Sequence, residues 1–199
     1  MNKNQKKAIL VGTILILLVM PAFSQKPSVA ELKQKAEQGF TDAQYNLGLM
    51  YERGEGVTQD QTEAIRWFRL AAEQGVAEAQ YKLGHRFAEG YGVPQGFAEA
   101  VKWYQAAAEQ GLAVAQIRLG LLHANGEGVP QDYVQAHKWF NLTSADSQFV
   151  NRPRAIRGRD ELAKRMTPEQ VAEAQQLATE WEPKTWDVIR KELKIGPPE

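Results

Sequence analysis

The three histidines of this chain are its first candidates for chemistry, because imidazole binds metals and transfers protons near neutral pH. His85, His123 and His137 show no metal-ligand spacing such as HExxH. Each occupies a position of the internal repeat, described below, at which the other copies carry an apolar residue. We therefore predict no metal site and no cofactor, and we interpret the imidazoles as packed or groove-facing side chains.

The sequence also offers few candidate nucleophiles for catalysis. After the first 24 residues the chain has three serines, none of them in a GxSxG or SxxK motif, and the chain has no cysteine. The stretch GYGVPQG at 90–96 follows a helical pattern rather than a strand, so we interpret it as a turn and not as a phosphate-binding loop. We predict no catalytic residue and no enzyme. An envelope glycan-acting hydrolase or binder is the alternative, and it would need a cleft that the sequence does not reveal.

The charges of the chain give no reason to expect nucleic acid as a partner, because 24 basic residues are balanced by 24 acidic ones. One basic cluster stands out after the repeats. Its members are Arg152, Arg154, Arg157, Arg159, Lys164 and Arg165. We interpret this cluster as a solvated helix face, with an acidic partner as the alternative.

A fixed period of 36 residues organises the elements that would position any site. The tetrapeptide AEQG occurs at 36–39, 72–75 and 108–111. Further residues recur in the same register: Ala43, Ala79, Ala115; Gln44, Gln80, Gln116; Leu47, Leu83, Leu119; Gly48, Gly84, Gly120; Trp67, Trp103, Trp139; Phe68, Tyr104, Phe140. Each period is therefore one structural unit.

Within each unit, apolar residues at spacings of three and four predict two amphipathic helices joined by a glycine-rich turn. Gly48, Gly84 and Gly120 fall inside the first helices, where glycine is unfavourable. We interpret them as points of close helix approach, with Trp67 and its equivalents supplying apolar area across the gap. We predict that the tryptophans are structural and bind no ligand.

The two ends of the chain depart from the repeat. Residues 1–24 combine a basic start, a 13-residue apolar run and small residues before position 25, which predicts a cleavable signal peptide. Residues 25–39 predict an N-terminal capping helix that Ser28 and Glu31 open with a capping box. We predict a degenerate fourth hairpin at 148–182, whose second helix is opened by Thr167 and Gln170. A C-terminal capping helix and tail are expected at 183–199.

The motifs AQYNLGLMYERGEGV and AEAVKWYQAAAEQG, with their copies, resemble the Sel-1-like repeats, which are related to the tetratricopeptide repeats. The segment 157–181 is similar to the closing segment of exported bacterial members. The resemblance implies an all-α fold, a right-handed α-solenoid of antiparallel hairpins with capping helices at both ends. It assigns three repeats to residues 40–147 and implies a concave face that binds proteins. It does not identify a partner.

By analogy with tetratricopeptide domains, the exposed strip of each first helix lines that concave face. The predicted peptide-binding groove consists of Tyr45, Leu49, Glu52, Arg53, Tyr81, His85, Glu89, Ile117, Leu121 and Asn125. Its apolar members and acidic edge suit a peptide with apolar anchors and some basic character. The alternative is that the tyrosines only pack between neighbouring first helices.

The sequence therefore predicts an exported adaptor, periplasmic or secreted, that binds an unidentified protein or peptide in the cell envelope. A secreted factor that binds a host protein is a further alternative. No stable membrane insertion is expected once the leader is cleaved, and a monomer is expected.

Overall fold

The computed structural model describes residues 28–145 and 150–196, and these residues form ten α-helices and no strand. The predicted signal peptide therefore lies outside the described residues. The helices are α1 Val29–Glu37, α2 Thr41–Arg53, α3 Gln61–Glu73, α4 Ala77–Glu89, α5 Phe97–Glu109, α6 Ala113–Asn125, α7 Tyr133–Ala145, α8 Arg152–Ala163, α9 Pro168–Thr179 and α10 Trp186–Glu192.

Three helical hairpins form the centre of the molecule, and they confirm the predicted unit. α2 packs on α3, α4 on α5, and α6 on α7, while α3 and α5 each also pack on the first helix of the next hairpin. Consecutive packing of this kind buries the apolar side of each hairpin on its neighbours, which is the architecture of an α-solenoid. Each first helix ends at a glycine with left-handed backbone: Gly54, Gly90 and Gly126.

The glycines inside the first helices are points of close approach, as predicted, but their partner is a different aromatic residue. A Cβ atom on Gly48 would lie 2.7 Å from the Phe68 ring, and one on Gly84 would lie 2.9 Å from the Tyr104 ring. The expected partner was the neighbouring tryptophan position. The tryptophans are instead buried in the core, with Trp67 and Trp103 only 2% and 3% exposed.

The repeated glutamines tie each first helix to the helix that precedes it in the chain. The amides of Gln44, Gln80 and Gln116 donate to backbone carbonyls eight residues earlier, at 3.2, 3.0 and 3.2 Å. Gln74 in turn donates to the Gln44 side chain at 2.7 Å, and Gln110 repeats this bond to Gln80. These bonds satisfy amides that would otherwise be buried without a partner.

The helix at the N-terminal end covers the first hairpin. α1 packs on α2, and its capping box between Ser28 and Glu31 is present as predicted. The second predicted capping box, between Thr167 and Gln170, opens α9. At the C-terminal end both α8 and α9 pack on α7.

The last helix packs against the second hairpin of the solenoid. α10 turns back along the solenoid and packs on α5, and Ile189 joins the core cluster that contains Ile65 and Trp103. The AEQG turns make this path possible because their glycines lack a side chain. The Trp186 ring occupies the place that a Cβ on Gly75 would take, at 2.6 Å, and Trp181 lies above Gly111. We call residues 181–195 the C-terminal strap.

Candidate functional site

The predicted groove residues all lie on α2, α4 and α6, and we call the outward side of these helices the first-helix face. Tyr45 and Tyr81 are half-buried at equivalent places on this face. Their ring centroids lie 5.8 Å from Phe68 and 5.7 Å from Tyr104, respectively. One side of each tyrosine ring therefore packs on the core, and another side remains accessible. Burial raises the pKa of Tyr45, and the carboxylates of Glu78 and Glu52 raise it further.

The apolar members of the predicted groove differ in accessibility. Leu49 and Leu121 are half-buried, as the tyrosines are. Ile117, which occupies the position of the two tyrosines in the third repeat, is only 5% exposed and belongs to a core cluster with Phe140 and Ala155. Its burial follows from α8, which carries Ala155 and covers the last repeat. The accessible apolar strip therefore spans mainly the first two repeats.

The acidic edge expected at Glu52 is not free. Glu52 forms ion pairs with Lys82, at 2.7 Å, and with Arg86, both on the first helix of the next repeat. The side chain of Arg86 is 8% exposed, so its charge depends on this carboxylate. Of the other polar groove residues, Arg53 pairs with Glu55 at 3.4 Å and Asn125 donates to Glu127 at 3.0 Å.

His85 lies among aromatic rings at the centre of the first-helix face. Its ring centroid is 6.3 Å from that of Tyr81 and 6.1 Å from that of Tyr91. Burial lowers the pKa of His85, and the positive charge of Arg118 lowers it further, whereas Glu89 acts in the opposite direction. The neutral imidazole is therefore the favoured form at this position.

A small opening on the first-helix face was not anticipated from the sequence. It has a volume of about 80 Å³ and lies where α4, α6 and the start of α8 meet. It is lined by Tyr81, Val114, Ile117, Arg118, Asn151 and Arg154, and we call it the arginine opening. Arg154 belongs to the basic cluster noted above, but Arg118 lies one position outside the predicted strip. A comparison of Arg118 with Lys82, the residue at the same position of the preceding repeat, could have identified it from the sequence.

A second cleft, of about 550 Å³, opens between α7, α8 and α9. Asn141, Ser144, Arg159, Gln175 and Thr179 contribute its polar lining. Arg159 is already engaged there, since it donates to Asp160 at 2.8 Å and to Ser144 at 3.3 Å. Among the described residues, no group of three or more His, Cys, Asp or Glu side chains gathers as a metal-binding cluster.

The periodicity is matched by a known family model. The Sel1 repeat model matches residues 41–76, 77–112 and 113–145, which together make up more than half of the chain. The chain belongs to the Sel1 repeat family. Sel1 repeat proteins are typically scaffolds for protein–protein interaction and are generally not catalytic.

Solved Sel1 repeat structures share this fold. A Sel1 repeat protein from Oxalobacter formigenes is 36% identical, with a TM-score of 0.61 over 67% of this chain and 97% of that one. A protective antigen of uropathogenic Escherichia coli strains, described as displaying an SLR fold, is 29% identical. Its TM-score is 0.58, over 90% of this chain and 46% of the antigen.

One curated relative of this Sel1 repeat protein carries a functional name. The secretory immunoglobulin A-binding protein EsiB of Escherichia coli O6:H1 (strain CFT073) is 43% identical over 69 residues. These residues are 35% of this chain and 14% of EsiB, so the chain spans a small part of the length of that relative. Within residues 28–145 and 150–196, no helix is long and apolar enough to cross a membrane.

Proposed function

We propose that this Sel1 repeat protein is an exported adaptor of the cell envelope that binds a segment of another protein along its first-helix face. The observation that carries the proposal is the pair Tyr45 and Tyr81. Both are half-buried at equivalent places on successive helices, whereas the repeated tryptophans are buried completely. Aromatic residues that keep one accessible side supply large contact area at a low entropic cost, as is common at protein interfaces.

The accessible residues define the chemistry of the partner. Leu49 and Leu121 extend the aromatic pair into an apolar strip that suits a segment with apolar anchors. The carboxylate of Glu78, whose charge acts on Tyr45, lies at that end of the strip and would attract basic residues. Glu52 does not contribute to this attraction, because its carboxylate already pairs with Lys82 and Arg86.

The proposed location outside the cytoplasm rests on the sequence of residues 1–24 alone. A mature chain that begins near residue 25 would still include α1 and all three repeats. We propose that this mature chain is a monomer, and light scattering of the purified mature protein checks the oligomeric state.

A secreted factor that binds a host protein is the second candidate function. It is favoured by the 43% identity to part of a protein named for binding secretory immunoglobulin A. The two candidates are distinguished by offering the immobilised mature protein envelope extract in one experiment and host secretory proteins in a parallel one. Specific capture from the host proteins alone favours the second.

The proposal is tested by affinity capture with the mature protein beside a Tyr45→Ala/Tyr81→Ala double variant. We expect the double variant to lose specific capture at least about tenfold, equivalent to about 1.4 kcal/mol, with a small decrease in melting temperature. Phe40→Ala is the matched control, because Phe40 is 59% exposed but lies outside the first-helix face. A large decrease in melting temperature, or equal capture by both variants, would show that the tyrosines only pack.

A further inference from the structure

The two interfaces between successive first helices differ in their charges. At the first interface Glu52, on α2, binds Lys82 on α4 at 2.7 Å. Thirty-six residues later Arg118 occupies the position of Lys82, but Ala88 occupies the position of Glu52. The second interface has therefore kept the cation and lost its carboxylate.

Arg118 finds no replacement carboxylate within the described part of the chain. Neither Arg118 nor Arg154 forms an ion pair there. The charges of Glu89 and Arg118 both act on His85, but Glu89 is exposed and is not bonded to either arginine. Two guanidinium groups thus line one opening, and neither forms an ion pair with a described residue. Like charges held together repel each other, so an anion between them is stabilised.

The remaining lining of the arginine opening can also hold an anion. Asn151 is the N-cap residue of α8, and its side chain makes no capping hydrogen bond. Its side-chain NH2 group forms no hydrogen bond with another described residue, so it is available as a donor, as is the hydroxyl of Tyr81. The volume of about 80 Å³ exceeds the roughly 30 Å³ that one water molecule occupies in the liquid, so a small oxyanion has room.

We propose that the arginine opening binds a carboxylate of the partner chain, a side-chain or C-terminal one, which supplies the negative charge that Arg118 lacks at this interface. This inference rests on the proposed function and adds a specificity to it. The partner segment carries apolar anchors for Tyr45 and Tyr81 and an acidic group at the end that reaches α6 and α8. A planar carboxylate matches the paired donors of a guanidinium group.

The test uses the full mature chain and a small probe, so that no partner is needed. Sodium acetate is titrated at constant ionic strength while the NMR signals of the arginine Nε–H groups and of the Asn151 amide are followed. We expect saturable shifts at Arg118, Arg154 and Asn151. Arg157, an exposed member of the same basic cluster, is the internal control and should show none. Shifts that never saturate and are equal at all arginines would overturn the proposal.

Two variants make the test specific. Arg118→Gln should weaken acetate binding at least tenfold, and Ala88→Glu should do the same by restoring the missing carboxylate within the chain. Ala88→Gln is the neutral control and should bind acetate as the wild type does. Unchanged melting temperatures verify that the variants are folded. If Arg118→Gln does not fold, Arg154→Gln, which removes the other guanidinium group of the opening, replaces it with the same expected result. Unchanged acetate binding in Ala88→Glu would contradict the proposal.

Two further results distinguish a carboxylate site from a general anion site, and the arginine opening from the adaptor surface. A parallel titration with sodium phosphate that saturates while acetate does not would overturn the carboxylate assignment. Partner capture that depends on Tyr45 and Tyr81 but is unchanged in Arg118→Gln would overturn the inference and leave the proposed function standing. Acetate binding without any captured partner would support the arginine opening and count against the adaptor.

Discussion

The AEQG turns and the first-helix face recur with the same period, but they differ in how many of their charged groups have a partner within the described chain. At the second and third of these turns, the C-terminal strap supplies partners for the glycine and for Glu109. Glu109 accepts from Trp181 at 3.2 Å and lies 3.8 Å from the Lys184 ammonium, while the Lys184 backbone donates to the Glu109 carbonyl at 2.8 Å. On the first-helix face, Arg118 and Arg154 form no ion pair among the described residues.

Under the proposed function, this difference marks the first-helix face as the surface that is left for another chain. The repeated glycines of the AEQG turns are used by the chain itself, because the strap places Trp186 and Trp181 on two of them. The first-helix face differs from repeat to repeat instead, with Glu52 replaced by Ala88 and Tyr81 replaced by Ile117. Positions that repeat exactly stabilise the stack, whereas the proposed recognition depends on positions that vary and stay accessible.

The largest expected effect is a loss of the strap contacts. Ile189 is fully buried against the second helices, so Ile189→Ala should lower the free energy of unfolding by about 2–5 kcal/mol. Val188→Ala on the same short helix is the matched control. Val188 is 44% exposed, and its truncation should change stability by less than about 0.5 kcal/mol. Urea unfolding measures both.

The same pair of variants tests whether the two surfaces are independent. Capture by the first-helix face should be unchanged in Ile189→Ala at a temperature where the variant remains folded. Loss of capture there would mean that the strap shapes the binding surface, and the contrast between the two regions would fail.

The next effect concerns the charge pairing that the first interface has and the second lacks. Glu52→Gln should cost about 1–3 kcal/mol, because the buried guanidinium of Arg86 loses its carboxylate. Glu55→Gln is the control, since Glu55 and its partner Arg53 are 59% and 55% exposed and such a pair contributes below about 1 kcal/mol. Equal losses in thermal unfolding would show that the Glu52 pairs are no stronger than ordinary surface pairs.

A smaller effect separates the strap from the backbone requirement of the AEQG turns. Gly39 and Gly75 have nearly the same positive φ, 92° and 96°, so alanine at either should cost about 1–2 kcal/mol. Only at Gly75 would the new Cβ meet a neighbour, the Trp186 ring at 2.6 Å, whereas nothing lies within 4 Å at Gly39. Gly75→Ala should therefore cost about 1–3 kcal/mol more than Gly39→Ala by calorimetry. Equal losses would argue that the strap leaves the turn easily.

Much of the architecture could be predicted because the repeat constrains it several times over. The hairpins, both capping boxes and the close approach at Gly48 follow from local rules that act within one unit. The position of α10 could not be predicted in this way. The apolar stripe of Trp186 and Ile189 indicates a buried helix face, but nothing in its spacing specifies which surface of the solenoid covers it.

The candidate site was predictable only in part for a related physical reason. The helical period places Tyr45 and Tyr81 correctly on one face. It does not reveal that Ile117 is covered by α8, because that contact depends on how the last, irregular helices pack. Nor does it show that Glu52 reaches two cations of the next repeat, since ion pairing across an interface depends on rotamers that a one-dimensional pattern does not contain.

The smallest expected effect uses the histidines that replace apolar residues in the repeat. Burial lowers the pKa of His123, an effect that Asp132 opposes and Lys138 reinforces. The unfolded chain, with a histidine pKa of about 6.5, then binds more protons than the native chain, so stability is full above that pH and declines as the pH falls below it. His123→Phe restores the aromatic residue of the equivalent positions Tyr51 and Phe87 and removes a buried Nδ1 without a hydrogen-bond partner.

The melting temperature of His123→Phe should therefore fall less than that of the wild type between about pH 8 and about pH 5. Part of the decline should persist, because burial lowers the pKa of His85 and His137 in the same direction. His137→Val, which restores the residue type of Ile65 and Val101, should reduce the remaining decline in the same sense. An identical decline in wild type and both variants would assign the acid sensitivity to carboxylates instead. In that case the imidazoles of this repeat protein would not be held neutral by their burial.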